Sequence, residues 1–212
     1  MSRFNLKRVG YAVLFVAFLV ELTAIAPHGG SPWSDIWKLS TFQPPANNPA
    51  VLSVFWIAGL QIMMYWPLVL GDRRSNPLPR PLVCMAMLLF GSLALLPYLA
   101  ARSTGTPAEP PVQPGILRSR TYGTAIAIAL AASLLFGILL GNALSYAKLF
   151  RTDFFLHGMT IDCVLLALLF PALLRDELNG LGYYEDNAFF RLVIGLPIFG
   201  PALYLATQPH PR

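Results

Sequence analysis

The stretch FFLHGMTIDCVLLALLFPALL, residues 154–174, decides the fold of this chain. It is long enough to cross a bilayer, because a transmembrane helix needs about 20 consecutive, mainly apolar residues. The stretch nevertheless contains His157 and Asp162, and Asp153 directly precedes it. Ionisable groups are costly inside lipid, so these three residues are the first candidates for function.

The rest of the chain has the same character. Hydrophobic residues make up 56% of it and charged residues 12%, and its mean hydropathy is +0.59. Comparable apolar runs occupy residues 9–26, 50–70, 81–101 and 122–144, and a shorter segment at 190–205 is interrupted by prolines. We therefore predict an all-α, polytopic membrane bundle of about six transmembrane helices in one domain, residues 1–212. Five spans with a re-entrant final segment are the alternative.

A proline-rich linker, residues 102–121, divides the predicted bundle into two halves of three spans. The positive-inside rule then predicts a cytoplasmic N-terminus, as for a protein of the plasma membrane. On that basis the inner side carries Arg3, Lys7, Arg8, Arg73, Arg74, Arg80, Lys148, Arg151 and Arg212. The outer side carries Lys38, Arg102, Arg118, Arg120, Arg175 and Arg191.

The net charge of +5 does not indicate nucleic-acid binding. The basic residues lie between apolar runs, where membrane topology requires them, and they do not form a stripe with interleaved aromatic residues. The predicted partner is therefore the lipid bilayer, and other membrane protein subunits are a further candidate.

The candidate intramembrane polar site consists of Glu21, Asp153, His157 and Asp162. Glu21 lies about 7–8 Å inside its predicted span, at 1.5 Å per helical residue. Asp153 and His157 are four residues apart and can interact, although Asp153 could equally serve as a helix-start residue. Asp162 points away from Asp153, by about 180° around the helix, so it needs a partner from another span. The polar candidates are Gln61, Tyr65, Ser92 and Asn142.

Three uses of His157 remain open: a ligand for a metal or a pigment magnesium, a proton relay with Asp153, or a structural hydrogen bond to another helix. No other histidine lies in a span, so we predict no self-contained metal site. Cys84 and Cys163 lie at different depths and form no CxxC motif. Catalytic motifs are lacking, so we assign no catalytic residue and no cofactor.

Two further patterns concern packing. Trp33, Ile36 and Trp37 share one face of a short predicted helix and indicate an interfacial anchor; a lid over a cavity is the alternative. Ser133, Gly137 and Gly141 form a small-residue notch of the kind that lets helix backbones approach closely. The notch could pack against another helix of this chain or against a partner.

Several stretches, taken in order, resemble an uncharacterised family of multi-span proteins from cyanobacteria and chloroplasts. These stretches are Tyr65–Leu68, Ala94–Leu99, Phe155–Asp162, Leu169–Leu174 and Leu196–Leu205. The resemblance implies a photosynthetic lineage and a thylakoid location, and it carries no assigned activity.

Three functions are compatible with the sequence. The first is a non-enzymatic accessory protein that assists the assembly or stability of a photosynthetic or other membrane complex. The second is a small proton-coupled transporter that uses Glu21, His157 and Asp162. The third is a membrane protein that binds a lipid, an isoprenoid or a pigment.

Overall fold

The computed structural model describes residues 3–72, 74–103, 115–180, 191, 193, 195–196 and 198–207. These residues are helical with no strand among them, which confirms the all-α class. The helices are α1 (Arg3–Val20, continued by a π-helical turn, Glu21–Ile25), α2 (Pro32–Ser40), α3 (Pro49–Gly71), α4 (Arg80–Phe90), α5 (Ser92–Ala101), α6 (Arg120–Leu140), α7 (Ala143–Thr152), α8 (Phe154–Gly180) and α9 (Gly200–Thr207).

Four helical segments are long and apolar enough to cross a membrane: Leu6–Ile25, Pro49–Gly71, Arg120–Leu140 and Phe154–Arg175. They correspond to the first, second, fourth and fifth predicted spans. This composition indicates an integral membrane protein. The six-span count is not confirmed, and the difference arises at the third and sixth predicted spans.

Side-chain caps set several of the helix starts. The Asn48 side chain accepts a hydrogen bond from the Ala50 N–H at 3.1 Å, and Pro49 occupies the first turn of α3. Asn48 also joins α3 to the end of α6, since it donates to the Asn142 carbonyl and accepts from the Asn142 N–H. The start of α3 and the end of α6 therefore lie at one end of the bundle, together with α2; we call this the α2 end.

The opposite end is held by arginine contacts, and we call it the arginine end. The Arg8 guanidinium near the start of α1 donates to the carbonyl of Ala100, at 2.7 Å. Arg102, directly after α5, pairs with Asp72, directly after α3, at 3.2 Å, and both side chains are buried. The Ser103 N–H donates to the Ser75 carbonyl, at 2.9 Å. The starts of α1 and α4 and the ends of α3 and α5 therefore meet at this end.

The third predicted span is consequently a hairpin rather than a crossing. Helices α4 and α5 have 11 and 10 residues, and Gly91 between them has φ +51° and ψ −126°. At 1.5 Å per residue each arm reaches about 16 Å, roughly half of the hydrocarbon thickness. The hairpin enters from the arginine end, turns at Gly91 and returns. Non-helical backbone at this depth is tolerated because it is buried in protein: Gly91 and Ser92 at the turn are both buried.

The hairpin corrects the predicted sidedness of the basic residues. Helix α6 begins at the arginine end and α8 runs parallel to α3, so the basic residues divide differently from the sequence prediction. The arginine end carries Lys7, Arg8, Arg74, Arg80, Arg102, Arg120 and Arg175. The α2 end carries Lys38, Lys148 and Arg151.

The sixth predicted span, residues 190–205, lies partly outside the described residues. Helix α9 contains 8 residues and is too short to cross a bilayer. Its last turn packs closely on α6, where Gly123 lies against the backbone of Leu205 and Ala206.

The small-residue notch of α6 lies against α3. The Ser53 hydroxyl donates to the Ser133 carbonyl at 2.6 Å, and a Cβ on Gly137 would lie 2.6 Å from the Ser53 Cβ. We expect Gly137→Leu to lower the free energy of unfolding by about 1–3 kcal/mol, because the added side chain forces α3 and α6 apart. Thermal unfolding in detergent would measure this, with Ala125→Leu on the exposed face of α6 as the control. Equal melting temperatures for the two variants would contradict the packing.

The hairpin makes a direct prediction for chemical labelling. In a background lacking Cys84 and Cys163, we expect Ser75→Cys and Thr121→Cys to react with an impermeant thiol reagent from the same side of sealed vesicles. Thr41→Cys, at the α2 end, should react only from the other side. A complete third crossing would instead place Ser75 and Thr121 on opposite sides.

Candidate functional site

A cavity of about 840 Å³ lies between the hairpin tip and the α2 end. Its walls come from α1 with its π-helical turn, α2, α3, α4, α5, α6 and α8, and they are mainly aromatic and aliphatic. Representative lining residues are Phe18, Phe55, Trp56, Leu88, Phe154 and Met159. Among the described residues that line it, Asp162 is the only ionisable one.

The cavity opens through the outer surface of the bundle. Met63, Leu89 and Phe90 belong to its wall and are also exposed. Met63 lies in the interior of α3, and Leu89 and Phe90 lie at the tip of the hairpin, between the two ends of the bundle. The opening therefore lies on the side of the bundle, away from both of its ends.

Asp162 lies at the hairpin tip. Its Oδ1 accepts hydrogen bonds from the Ser92 N–H, at 2.6 Å, and from the Ser92 hydroxyl, at 2.5 Å. Because Ser92 begins α5, the carboxylate caps a helix N-terminus that ends inside the membrane, where the helix dipole favours negative charge. The close approach requires Gly91, since a side chain at that position would collide with the Asp162 carboxylate.

Of the four candidate partners predicted for Asp162, Ser92 is the one that forms hydrogen bonds with it. The Tyr65 hydroxyl donates to the Leu166 carbonyl, and Asn142 pairs with Asn48. Gln61 is buried, and its amide has no hydrogen-bond partner among the described residues. Sequence spacing could not distinguish these four, because each lies on a different turn or a different helix.

Glu21 and His157 meet across the bundle. His157 Nε2 contacts Glu21 Oε1, and His157 Nδ1 lies 2.9 Å from the Phe150 carbonyl oxygen, with the Phe150 ring stacked on the imidazole. A carbonyl only accepts, so Nδ1 carries a proton. The Nε2–Oε1 contact then needs one proton, which either His157 or Glu21 holds. The pair is neutral overall in both states, which limits the cost of placing it in a membrane.

The backbone at Glu21 is unusual. Residues Glu21–Ile25 form a π-helical turn, with an Ala26 N–H to Glu21 carbonyl hydrogen bond of 2.8 Å. Such turns are rare and occur frequently at functional sites. Leu22 and Gly158, the neighbours of Glu21 and His157 in sequence, line the cavity. The proton-holding pair therefore lies beside the cavity wall.

Asp153 does not join this pair. Its Oδ1 accepts from the Leu156 N–H at 2.8 Å and caps the start of α8, the alternative considered from sequence, and its carboxylate lies near Asp35 of α2. Burial and then the charge of Asp153 raise the pKa of Asp35 above its usual value. Asp35 is buried although it lies off the apolar face of the predicted interfacial helix, where the sequence favours a solvated carboxylate.

The three residues of the predicted interfacial anchor lie in two environments, the protein surface and the cavity wall. Trp33 and Trp37 are 77% and 72% exposed, as an anchor at the lipid surface requires. Ile36 turns inward and lines the cavity together with Ser40. Helix α2 therefore also covers one side of the cavity.

No group of three or more histidine, cysteine, aspartate or glutamate side chains that could hold a metal ion occurs in the described part of the chain. Cys84 and Cys163 are free thiols. No protein family model, no curated protein and no solved structure matches this chain.

Proposed function

We propose that this protein binds an amphipathic, lipid-like molecule that enters from the bilayer. The observation that carries the proposal is the apolar cavity with Asp162 at the hairpin tip. Ligand sites are typically concave, mainly apolar and furnished with few polar groups that fix orientation, and their usual volumes of about 300–1,000 Å³ include this one. The lateral opening selects molecules that dissolve in lipid.

The orientation that we propose places the arginine end in the cytoplasm or stroma. This end carries most of the described basic residues, and the α2 end carries Lys38, Lys148 and Arg151. The excess supports a positive-inside topology. The lipid-binding cavity then lies in the half of the membrane away from the cytoplasm or stroma.

An accessory role in a photosynthetic or other membrane complex rests on the sequence resemblance and on the lack of catalytic motifs. The notch at Ser133, Gly137 and Gly141 no longer supports it, because α3 fills the notch. The cavity needs no partner protein to form. Ligand binding is therefore the activity that we place first.

Gly59 offers a direct test. It lines the cavity, and a Cβ on Gly59 meets no atom within 4 Å, so Gly59→Leu should fill the cavity without a backbone clash. Gly10→Leu is the matched control, since Gly10 is exposed and equally unobstructed. In nanodiscs, a hexadecane with a mid-chain diazirine should label the parent protein and Gly10→Leu within Phe55–Ala58 or Phe155–Met159, cavity-lining segments that are not exposed on the outer surface. Gly59→Leu should lose that labelling, and unchanged labelling would refute the proposal.

A proton-coupled carrier is the second candidate, and the Glu21–His157 pair favours it. The pair shares one proton beside the cavity wall, and helices interrupted inside the membrane, such as the α4–α5 hairpin, often line transport sites. Under this hypothesis, an imposed pH gradient drives a labelled lipid-like ligand out of vesicles that contain the reconstituted protein. Glu21→Gln should abolish the pH response and preserve binding; a pH response that persists in this variant would exclude the pair as the coupling site.

A further inference from the structure

We propose that the cavity prefers an uncharged lipid whose head is a single hydrogen-bond donor, such as the hydroxyl of a long-chain or isoprenoid alcohol. The head would lie against Asp162, and the chain would lead towards the lateral opening at Met63, Leu89 and Phe90. This inference rests on the proposed function and names the chemical class of its ligand.

The charge of the lining excludes anionic heads. Among the described lining residues there is no lysine, arginine or histidine, so a phosphate or carboxylate head has no cationic partner. The Asp162 carboxylate would repel such a head at short range in a low-dielectric site. Phospholipids and fatty acids are therefore disfavoured, although their chains would fit the walls.

The depth of Asp162 excludes large hydrated heads. Asp162 lies eight positions after Phe154, the first residue of α8, which places it about 12 Å along the helix axis. A strongly hydrated head would lose its water at this depth without replacement. A single hydroxyl carries little hydration and can recover its hydrogen bond from the carboxylate.

The hydrogen-bond pattern specifies a donor. Ser92 supplies two donors to Asp162 Oδ1, and the N-terminus of α5 adds a favourable dipole. Both features stabilise the carboxylate as an acceptor. The Ser133 hydroxyl, also in the lining, already donates to the Ala129 carbonyl at 2.8 Å. The other polar side chains of the described lining, Ser40 and Ser133, offer neutral hydroxyl oxygens, which are weaker acceptors than a carboxylate. Asp162 is therefore the strongest acceptor in the lining for a ligand head.

Competition between matched probes tests the inference. The parent protein in nanodiscs would be labelled with the diazirine-bearing hexadecane in the presence of hexadecanol, 1-methoxyhexadecane or hexadecanoate. Hexadecanol should compete roughly tenfold better than its methyl ether, because one hydrogen bond to a charged acceptor is worth at least that factor. Hexadecanoate should compete less well than either.

Asp162→Asn provides the discriminating variant. It keeps the acceptor for Ser92 but presents an N–H₂ donor to the ligand, so the preference for alcohol over ether should disappear. Ser92→Ala is the control, because it retains the carboxylate and should retain the preference. The alcohol-to-ether ratio in the parent decides the inference even where a variant folds poorly.

The outcomes separate the two proposals. Equal competition by alcohol and ether in the parent overturns the head-group inference, as does stronger competition by hexadecanoate. Lipid binding itself still stands in those cases if Gly59→Leu blocks labelling. Labelling that survives Gly59→Leu overturns both.

Discussion

Replacing Gly91 with alanine is expected to lower the free energy of unfolding by about 2–4 kcal/mol, one of the two largest effects that we anticipate. Gly91 has φ +51° and ψ −126°, a conformation that L-amino acids with a side chain rarely adopt. The added methyl group would also collide with the Asp162 carboxylate. The backbone strain and the steric clash both lower the free energy of unfolding, because both arise at the hairpin tip. Thermal and denaturant unfolding in detergent would measure the loss.

Gly59→Ala is the matched control for Gly91→Ala. Both glycines lie in apolar parts of the chain, but Gly59 has open space around it and lies within regular helix, whereas Gly91 forms the turn between α4 and α5. Its replacement should be neutral or slightly stabilising, since alanine has the higher helix propensity. If the two alanine variants are equally stable, the sharp turn at Gly91 is not a feature of the folded protein.

Replacing Asp162 with leucine is expected to destabilise the protein by about 2–4 kcal/mol, whereas asparagine should cost less than about 1 kcal/mol. Leucine leaves the Ser92 N–H and hydroxyl without their acceptor, in a place where water cannot replace it. Removing the buried charge restores little of the free energy of unfolding, because Ser92 and the N-terminus of α5 already stabilise the carboxylate. Asparagine preserves the shape and the acceptor oxygen.

The two Asp162 variants need a control substitution on α8, and one outcome contradicts the role of Asp162. Val164→Leu, on the exposed face of α8 two positions after Asp162, is the control, so its effect sets the background. Function is read from the competition of hexadecanol and its methyl ether against the diazirine-bearing hexadecane. If Asp162→Leu folds as well as the parent and keeps the preference for the alcohol, Asp162 supports neither the hairpin nor the ligand head, and the proposed site is wrong.

The hairpin explains how the fold places a polar group in an apolar cavity. An N-terminus of a helix and a carboxylate are each costly inside a membrane when alone. Ser92 and Asp162 offset each other's cost by direct hydrogen bonds. The same contact fixes the carboxylate at one side of the cavity, where a ligand head can reach it.

The sequence by itself determined four of the membrane-spanning helices. Runs such as 50–70 and 154–174 are long, apolar and bounded by helix caps, so their length and composition favour transmembrane helices. The helix-start role of Asp153 was also accessible, because a carboxylate before an apolar run is a local signal. Local patterns suffice wherever the determining interactions lie within a few residues.

Only the tertiary structure decided the third run and the partners of the buried polar groups. Residues 81–101 have the length of one span, and the turn at Gly91 becomes necessary only when Arg102 pairs with Asp72 at the end where α4 begins. Likewise, His157 could have met Asp153 by helical spacing, but the fold brings the π-helical turn after α1 to α8, and His157 contacts Glu21 instead. Such pairings depend on contacts between distant segments, and the periodicity of a single helix does not encode which segments will meet.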